Sequence, residues 1–166
     1  MKEETKFDFN MSALQVWSLI SDLRGFARWH PVYCIAGEAE LGAEIDVTWL
    51  LFSSNRKMTT QMVINRLTKP QFIGWQMGVR GFLTLDERYE IETIANGVCI
   101  HHSIECRGII GTLIGRMISK RLRQTMRKQD AAFLALLRRQ SRLPGRSRRN
   151  HRQPIKPPLG RDSADD

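Results

Sequence analysis

The segment Leu83-Thr84-Leu85-Asp86-Glu87-Arg88-Tyr89-Glu90-Ile91-Glu92 alternates with period two: its odd positions are apolar apart from Glu87, and its even positions are all polar. Side chains along a strand point alternately to opposite faces, so such a segment has one dry face and one wet face. Ala95-Asn96-Gly97 follows, and Asn-Gly is a strong hairpin signal because both residues accept positive φ. Val98, Ile100, His102, Ile104 and Cys106 then return along the same dry face. Beyond residue 106 the period changes. Ile110, Leu113, Ile114, Met117, Leu122, Thr125, Gln129, Phe133, Leu136 and Leu137 recur at helical spacing to residue 140, with arginines and lysines on the opposite face. That helix has roughly 30 residues and is about 45 Å long at 1.5 Å per residue. One-sided strands followed by one long helix confine the chain to α+β architectures in which a sheet wraps its dry face around that helix. Such a wrap can leave a cavity.

The rest of the chain fits this plan. Phe7 and Phe9 alternate with Asp8 and Asn10, so residues 5–10 read as a first strand. Ser12-Ala13-Leu14-Gln15 is a capping-box pattern and opens a helix carrying Leu14, Val16, Trp17, Leu19 and Ile20. After a break at Asp22, Leu23, Phe26 and Trp29 give a second short helix. His30-Pro31 stops it, because the residue before proline avoids the helical region. Residues 32–39 are short and ambiguous. Ile45, Val47, Trp49 and Leu51 mark one strand, Met58, Thr60, Met62 and Ile64 the next, and Ile73, Trp75 and Met77 a short third after the Lys69-Pro70-Gln71 turn. The expectation is a curved antiparallel sheet of about seven strands around the C-terminal helix, with two short helices after strand 1, all within residues 1–140. From Ser141 onward prolines interrupt a run of arginines and large apolar residues nearly disappear. Residues 141–166 cannot bury enough surface to offset their ordering entropy, which predicts a basic disordered tail.

No run of 18 or more apolar residues occurs, so no transmembrane segment is expected. Met1-Lys2-Glu3-Glu4-Thr5-Lys6 carries both signs of charge and does not read as a secretory signal. Cys34, Cys99 and Cys106 form no C-x-x-C and read as reduced thiols of a cytoplasmic protein. The net charge of +9 is unevenly placed: −3 over residues 1–106 and +12 over residues 107–166. Charge of that kind speaks to partners rather than fold. The basic third reads as a solvated helix face with a tail, or as a contact with anionic membrane or RNA through residues 116–161. Phe133 is the only aromatic residue after Tyr89, which removes any stacking platform for bases. Gly111-Thr112-Leu113-Ile114-Gly115 matches G-x-x-x-G in a stretch too short to span a membrane, and suggests a flexible start to the helix. There is no G-x-S-x-G, Walker loop, H-E-x-x-H or Rossmann glycine pattern. His101 and His102 point to opposite faces of their strand and cannot jointly grip one ion, so no metal and no cofactor are expected.

Glu87 and His102 are polar residues at dry-face positions. A two-residue Asn96-Gly97 turn sets His102 opposite Ile91, whereas a four-residue loop sets it opposite Tyr89, diagonal to Glu87. The two form either a polar pair that orients a ligand or moves a proton in an apolar cavity, or a structural feature at a sheet end, in water or paired with a helix arginine such as Arg116 or Arg121. An unpaired buried carboxylate would have a strongly raised pKa, so the first reading requires a partner. Candidate lining consists of Trp29, Ile45, Val47, Trp49, Met58, Met62, Trp75, Met77, Leu85, Tyr89, Ile100 and Ile104, with Leu113 and Met117 from the helix. Methionine adapts to irregular contents. The same residues also serve as ordinary core.

Val16-Trp17-Ser18-Leu19-Ile20-Ser21-Asp22 followed by Trp29-His30-Pro31 resembles the opening of the START-like, Bet v 1-like (SRPBCC) superfamily, in its polyketide cyclase/dehydrase and lipid-transport branch. Leu41-Gly42-Ala43-Glu44-Ile45 resembles that branch's approach to its third strand. Asp86-Glu87-Arg88-Tyr89-Glu90-Ile91 resembles a strand in which histidine is frequent at the position of Glu87. His102-Ser103 and Gly108 resemble the stretch leading into its last helix. The resemblance covers residues 5–140 and implies the helix-grip fold. It also implies binding or transport of a small apolar ligand, lipid- or polyketide-like, between sheet and helix. The alternatives are a cyclase or dehydratase acting in that cavity, with His102 as base and Glu87 or Tyr89 as acid, and an interaction protein working through its basic end.

Overall fold

From the second strand to the last, strands that follow one another in sequence lie side by side, and the first strand forms the sheet edge beside the last. The computed structural model describes residues 1–50, 57–79, 81–109 and 115–142. The elements are β1 (Lys2–Phe9), α1 (Ala13–Ile20), a 3-10 helix (Leu23–Arg28), β2 (Tyr33–Ala36), β3 (Glu44–Leu50), β4 (Lys57–Thr68), β5 (Phe72–Val79), β6 (Leu83–Ile94), β7 (Gly97–Arg107) and α2 (Gly115–Ser141). The seven strands form one antiparallel sheet in the order β1-β7-β6-β5-β4-β3-β2. This is the expected α+β helix-grip arrangement. The ambiguous segment 32–39 supplies the edge strand β2.

The capping box forms as its spacing implies. The Ser12 hydroxyl accepts from the Gln15 N–H at 3.4 Å, and the Gln15 side chain accepts from the Ser12 N–H at 3.2 Å. The second short helix is 3-10 rather than α. Its Asp22 carboxylate accepts from the Gly25 N–H at 3.0 Å. The concave side of the sheet is filled by large rings, with Trp75, Tyr33, Tyr89, Phe26 and Phe133 all fully buried. Phe133 and Leu137 of α2 join Val16, Ile20 and Phe26 in one cluster, while Leu122 and Met126 pack with Ile104, Met1 and Leu85 in another.

Three details differ from expectation. The β6–β7 turn is centred on Ala95 and Asn96, with Ile94 paired to Gly97, so Asn-Gly does not fill its two central positions. That turn sets His102 opposite Tyr89 by moving a two-residue connection back one position. Of the Asn-Gly pair only Gly97 takes positive φ, at 129°, and a Cβ there would clash with the Phe9 carbonyl oxygen. Gly97→Ala is therefore expected to destabilise by about 2 kcal/mol, the cost of holding a side chain in a forbidden backbone region; an unshifted urea midpoint would contradict it. Next, the wet face of β6 is covered at one end. Asp86 is only 8% exposed and accepts from Asn65 Nδ2 at 3.0 Å and Gln76 Nε2 at 3.2 Å. Finally, Met126 and Asp130 hold buried positions on α2, while Thr125 and Leu136 are half-buried.

Leu51, Ile110, Leu113 and Ile114, the side chains of Arg116 and Met117, and the expected tail from residue 143 onward lie outside the described residues. Among the described residues no helix is long and apolar enough to cross a membrane.

Candidate functional site

A chain of polar side chains crosses the interior between sheet and helix. Tyr33 of β2 donates its hydroxyl to Glu87 Oε2 at 2.7 Å. On β6, Glu87 Oε1 faces His102 Nε2 of β7 at 3.2 Å. The other ring nitrogen, Nδ1, lies 2.6 Å from Asp130 Oδ1 on α2. Asp130 Oδ2 then accepts from the Thr5 hydroxyl of β1 at 2.8 Å. Five elements are thus tied through one line of bonds. The pleat sets the line up: Glu87 and Tyr89 are neighbours on one face of β6, and Tyr89 is directly opposite His102. Their rings stack, with centroids 4.1 Å apart and planes 7° apart.

The ionisable groups of the chain are withdrawn from water, with Glu87 2%, His102 0% and Asp130 7% exposed. Both ring nitrogens of His102 face carboxylate oxygens, an arrangement that favours the doubly protonated imidazolium, which donates from both sides. Burial lowers the His102 pKa, but the hydrogen bonds and charges of Asp130 and Glu87 outweigh burial and raise it. Burial likewise pushes the Glu87 carboxyl up, and His102, with the Tyr33 hydroxyl, brings it below its ordinary value. Burial and the Glu87 charge hold the Tyr33 and Tyr89 hydroxyls protonated far above their usual range.

A second line branches from Glu87. Gln129 Nε2 donates to Glu87 Oε1 at 3.3 Å and lies 3.1 Å from His30 Nε2. His30 Nδ1 accepts the Tyr33 N–H at 3.2 Å. Its ring is packed against Tyr33, Phe26 and Trp29. Burial in this aromatic setting depresses the His30 pKa to about 4, so the ring is neutral.

Beside the polar chain lies a small apolar pocket of about 240 Å³, lined by Trp49, Met58, Thr60, Met77, Gly78, Leu83 and Leu85. Its polar atoms are already engaged, since Trp49 Nε1 donates to Thr60 Oγ1 at 2.7 Å. Leu85 and Met77 are directly opposite, and the next inward-facing pair along the same strands is Trp75 and Glu87. Trp49 also meets Tyr33 edge-on at 5.4 Å. The pocket and the polar chain therefore share walls. Larger depressions with mixed apolar and charged borders lie elsewhere, such as one of about 740 Å³ bordered by Arg66, Glu90 and Glu92 and one of about 650 Å³ against Trp29, Leu136 and Arg139.

The structure brings Trp49, Met58, Met77 and Leu85 together around this pocket, with Met58 48% exposed at its rim. Ile45, Val47, Met62, Trp75 and Ile100 pack the closed core, and Ile104 packs on Leu122 and Met126. Trp29 stacks on Phe26 and Phe133 away from the pocket. Leu113 and the Met117 side chain fall outside the described residues. Glu87 and His102 stand neither at a sheet end nor in water, and the helix residue that meets His102 is an aspartate rather than an arginine. Sequence reasoning missed Tyr33, Gln129, His30 and Asp130 as members of the network. Asp130 did carry a signal: it is the only acidic residue between Glu105 and Asp162, in a strongly basic stretch.

The sequence profile described as polyketide cyclase/dehydrase and lipid transport matches residues 2–138. No curated protein matches the sequence significantly. Solved structures share the fold at low identity. An Arthrobacter aurescens protein solved by NMR is 14% identical with a TM-score of 0.68, the match covering 91% of each chain. A Staphylococcus aureus protein of unknown function is 6% identical with a TM-score of 0.69, over 85% of this chain and 95% of that one. A Chromobacterium violaceum protein is 12% identical with a TM-score of 0.67, over 82% and 96%.

Proposed function

The chain belongs to the polyketide cyclase/dehydrase and lipid transport family, and from that premise and the geometry above we propose that it binds a small apolar ligand, lipid- or polyketide-like, in the pocket on Trp49, Met77 and Leu85. The observation that carries this reading is the pocket's chemistry: its lining is apolar apart from Thr60, whose hydroxyl is engaged by Trp49. An apolar guest there gains about 25 cal/mol for each Å² removed from water and leaves no polar group stranded. The volume is below the range of roughly 300–1,000 Å³ usual for drug-sized ligands, so it suits one ring or a short acyl segment, with the rest of a longer molecule outside.

Carriage or sensing is favoured over cyclase or dehydratase chemistry by the state of His102. A general base needs a free nitrogen within reach of a substrate proton. Both nitrogens of His102 are occupied by Glu87 and Asp130, and the ring has no exposed surface. The three free thiols suit a reducing compartment such as the cytoplasm.

Native mass spectrometry of freshly purified protein and titration with dodecanoate, read by tryptophan fluorescence, test the proposal. Leu83→Trp fills the pocket from its half-buried wall and is expected to weaken dodecanoate binding about tenfold or more, equivalent to about 1.4 kcal/mol. Equal affinity in the variant would sink the pocket as the site. Binding seen only on anionic vesicles, and indifferent to Leu83→Trp, would move the activity to the basic helix and tail.

A further inference from the structure

On the opposite, outer face of the sheet, we propose that Cys99, His101 and Glu92 form a binding site for a divalent transition-metal ion of the zinc class. The β6–β7 register places Glu92 directly opposite Cys99, and His101 lies two residues along β7 on the same face. One donor atom from each comes together, all within 4.8 Å of one another. Glu92 Oε2 and His101 Nε2 are already 3.4 Å apart.

The donor set carries the argument. A thiolate, an imidazole and a carboxylate are the three side-chain types that zinc takes, at about 2.0–2.3 Å, and hard cations such as calcium or magnesium have no use for the sulfur. Bound donors must approach one another more closely than 4.8 Å, and rotation of Glu92 and His101 supplies this because both are at least partly exposed. All three residues sit in the paired strands β6 and β7. A fourth oxygen is at hand: Asp8 of β1 is directly opposite Cys99 on its other side, and its carboxylate lies beside the thiol. The Cys99 side chain is only 3% exposed, with the side chains of Asp8, Glu92 and Lys6 nearby. A metal ion entering there displaces the thiol proton. This is a mixed constellation on three strands, separate from the apolar pocket, and the adjacent His102 takes no part because it points inward.

Cobalt(II) titration of the full chain, kept reduced, tests the site. One equivalent is expected to produce a thiolate-to-cobalt charge-transfer band in the near ultraviolet with visible d–d bands, and zinc is expected to bleach both. Cys99→Ser and His101→Gln are each expected to weaken binding about 100-fold or more, and Glu92→Gln about tenfold, while Cys34→Ser and Cys106→Ser keep the wild-type bands. Far-ultraviolet circular dichroism checks that the variants remain folded. Absence of the charge-transfer band in the wild-type chain, or its survival in folded Cys99→Ser or His101→Gln, overturns the proposal.

Discussion

Replacing His102 by alanine is expected to lower the unfolding free energy by about 3–5 kcal/mol, the range for removing one partner from a buried ion pair. The cause is electrostatic. Without the imidazolium, the carboxylates of Glu87 and Asp130 are buried with no compensating positive charge, and one of them must take up a proton to remain inside. Alanine also removes the ring stacked on Tyr89, so the cause must be separated from packing. His102→Phe keeps the stack and removes both N–H donors, and its loss is expected to be nearly as large. Adding Glu87→Gln to His102→Phe is expected to recover part of the loss, because it removes one of the stranded charges while an amide still meets the Tyr33 hydroxyl. Urea unfolding of the two single variants and the double variant measures this coupling directly. A loss below about 1 kcal/mol in His102→Phe, the size of an ordinary neutral hydrogen bond, would mean that the chain from Tyr33 to Asp130 holds no buried charge.

The inward positions of Glu87 and His102 were legible from alternation alone, because a period of two leaves no other choice once Leu85, Tyr89 and Ile91 are dry. Their mutual register was not. Asn-Gly satisfies a two-residue turn at its own position, but Gly97 is needed one place later, where the chain passes under the Phe9 carbonyl with φ at 129°. That contact is with a strand distant in sequence. Asp130 was hidden for a related reason: a helix face is read from its apolar residues, and a buried acid looks like an interruption until its partner is known. The wet face of β6 misled in the other direction. Asp86 reads as solvated, yet amides from β4 and β5 cover it. Alternation marks which side chains point inward, but not whether the space between them is empty. Trp75, Tyr33 and Tyr89 fill most of that space, leaving about 240 Å³ beside Trp49. Filling depends on the summed volumes of residues from nearly every strand and helix, which no local pattern carries.

Stability is expected to fall by roughly 3 kcal/mol between pH 6.5 and pH 4 because of His30 alone, at 1.36 kcal/mol per pKa unit. His30 is 4% exposed, and burial among aromatic rings depresses its pKa from 6.5 to about 4. Between those values the unfolded chain takes up a proton that the folded ring refuses, so acid favours unfolding. His102 acts in the opposite sense. Its pKa is raised in the fold, so its contribution is complete below the unfolded value near 6.5 and is lost as pH rises through the higher folded value. Glu87, whose pKa is lowered, withdraws its contribution only as pH falls through the carboxylate range. The two buried histidines together predict a stability maximum near pH 6.5 with a decline on either side. His30→Gln removes the titrating ring while leaving an amide that can accept the Tyr33 N–H, so the acid limb above pH 4.5 is expected to flatten and the alkaline limb to remain. Urea unfolding from pH 4 to 9 on both chains reads this out. An acid limb equally steep in His30→Gln would assign the proton uptake to carboxylates instead, and the aromatic enclosure of His30 would then have no part in the protein's response to acid.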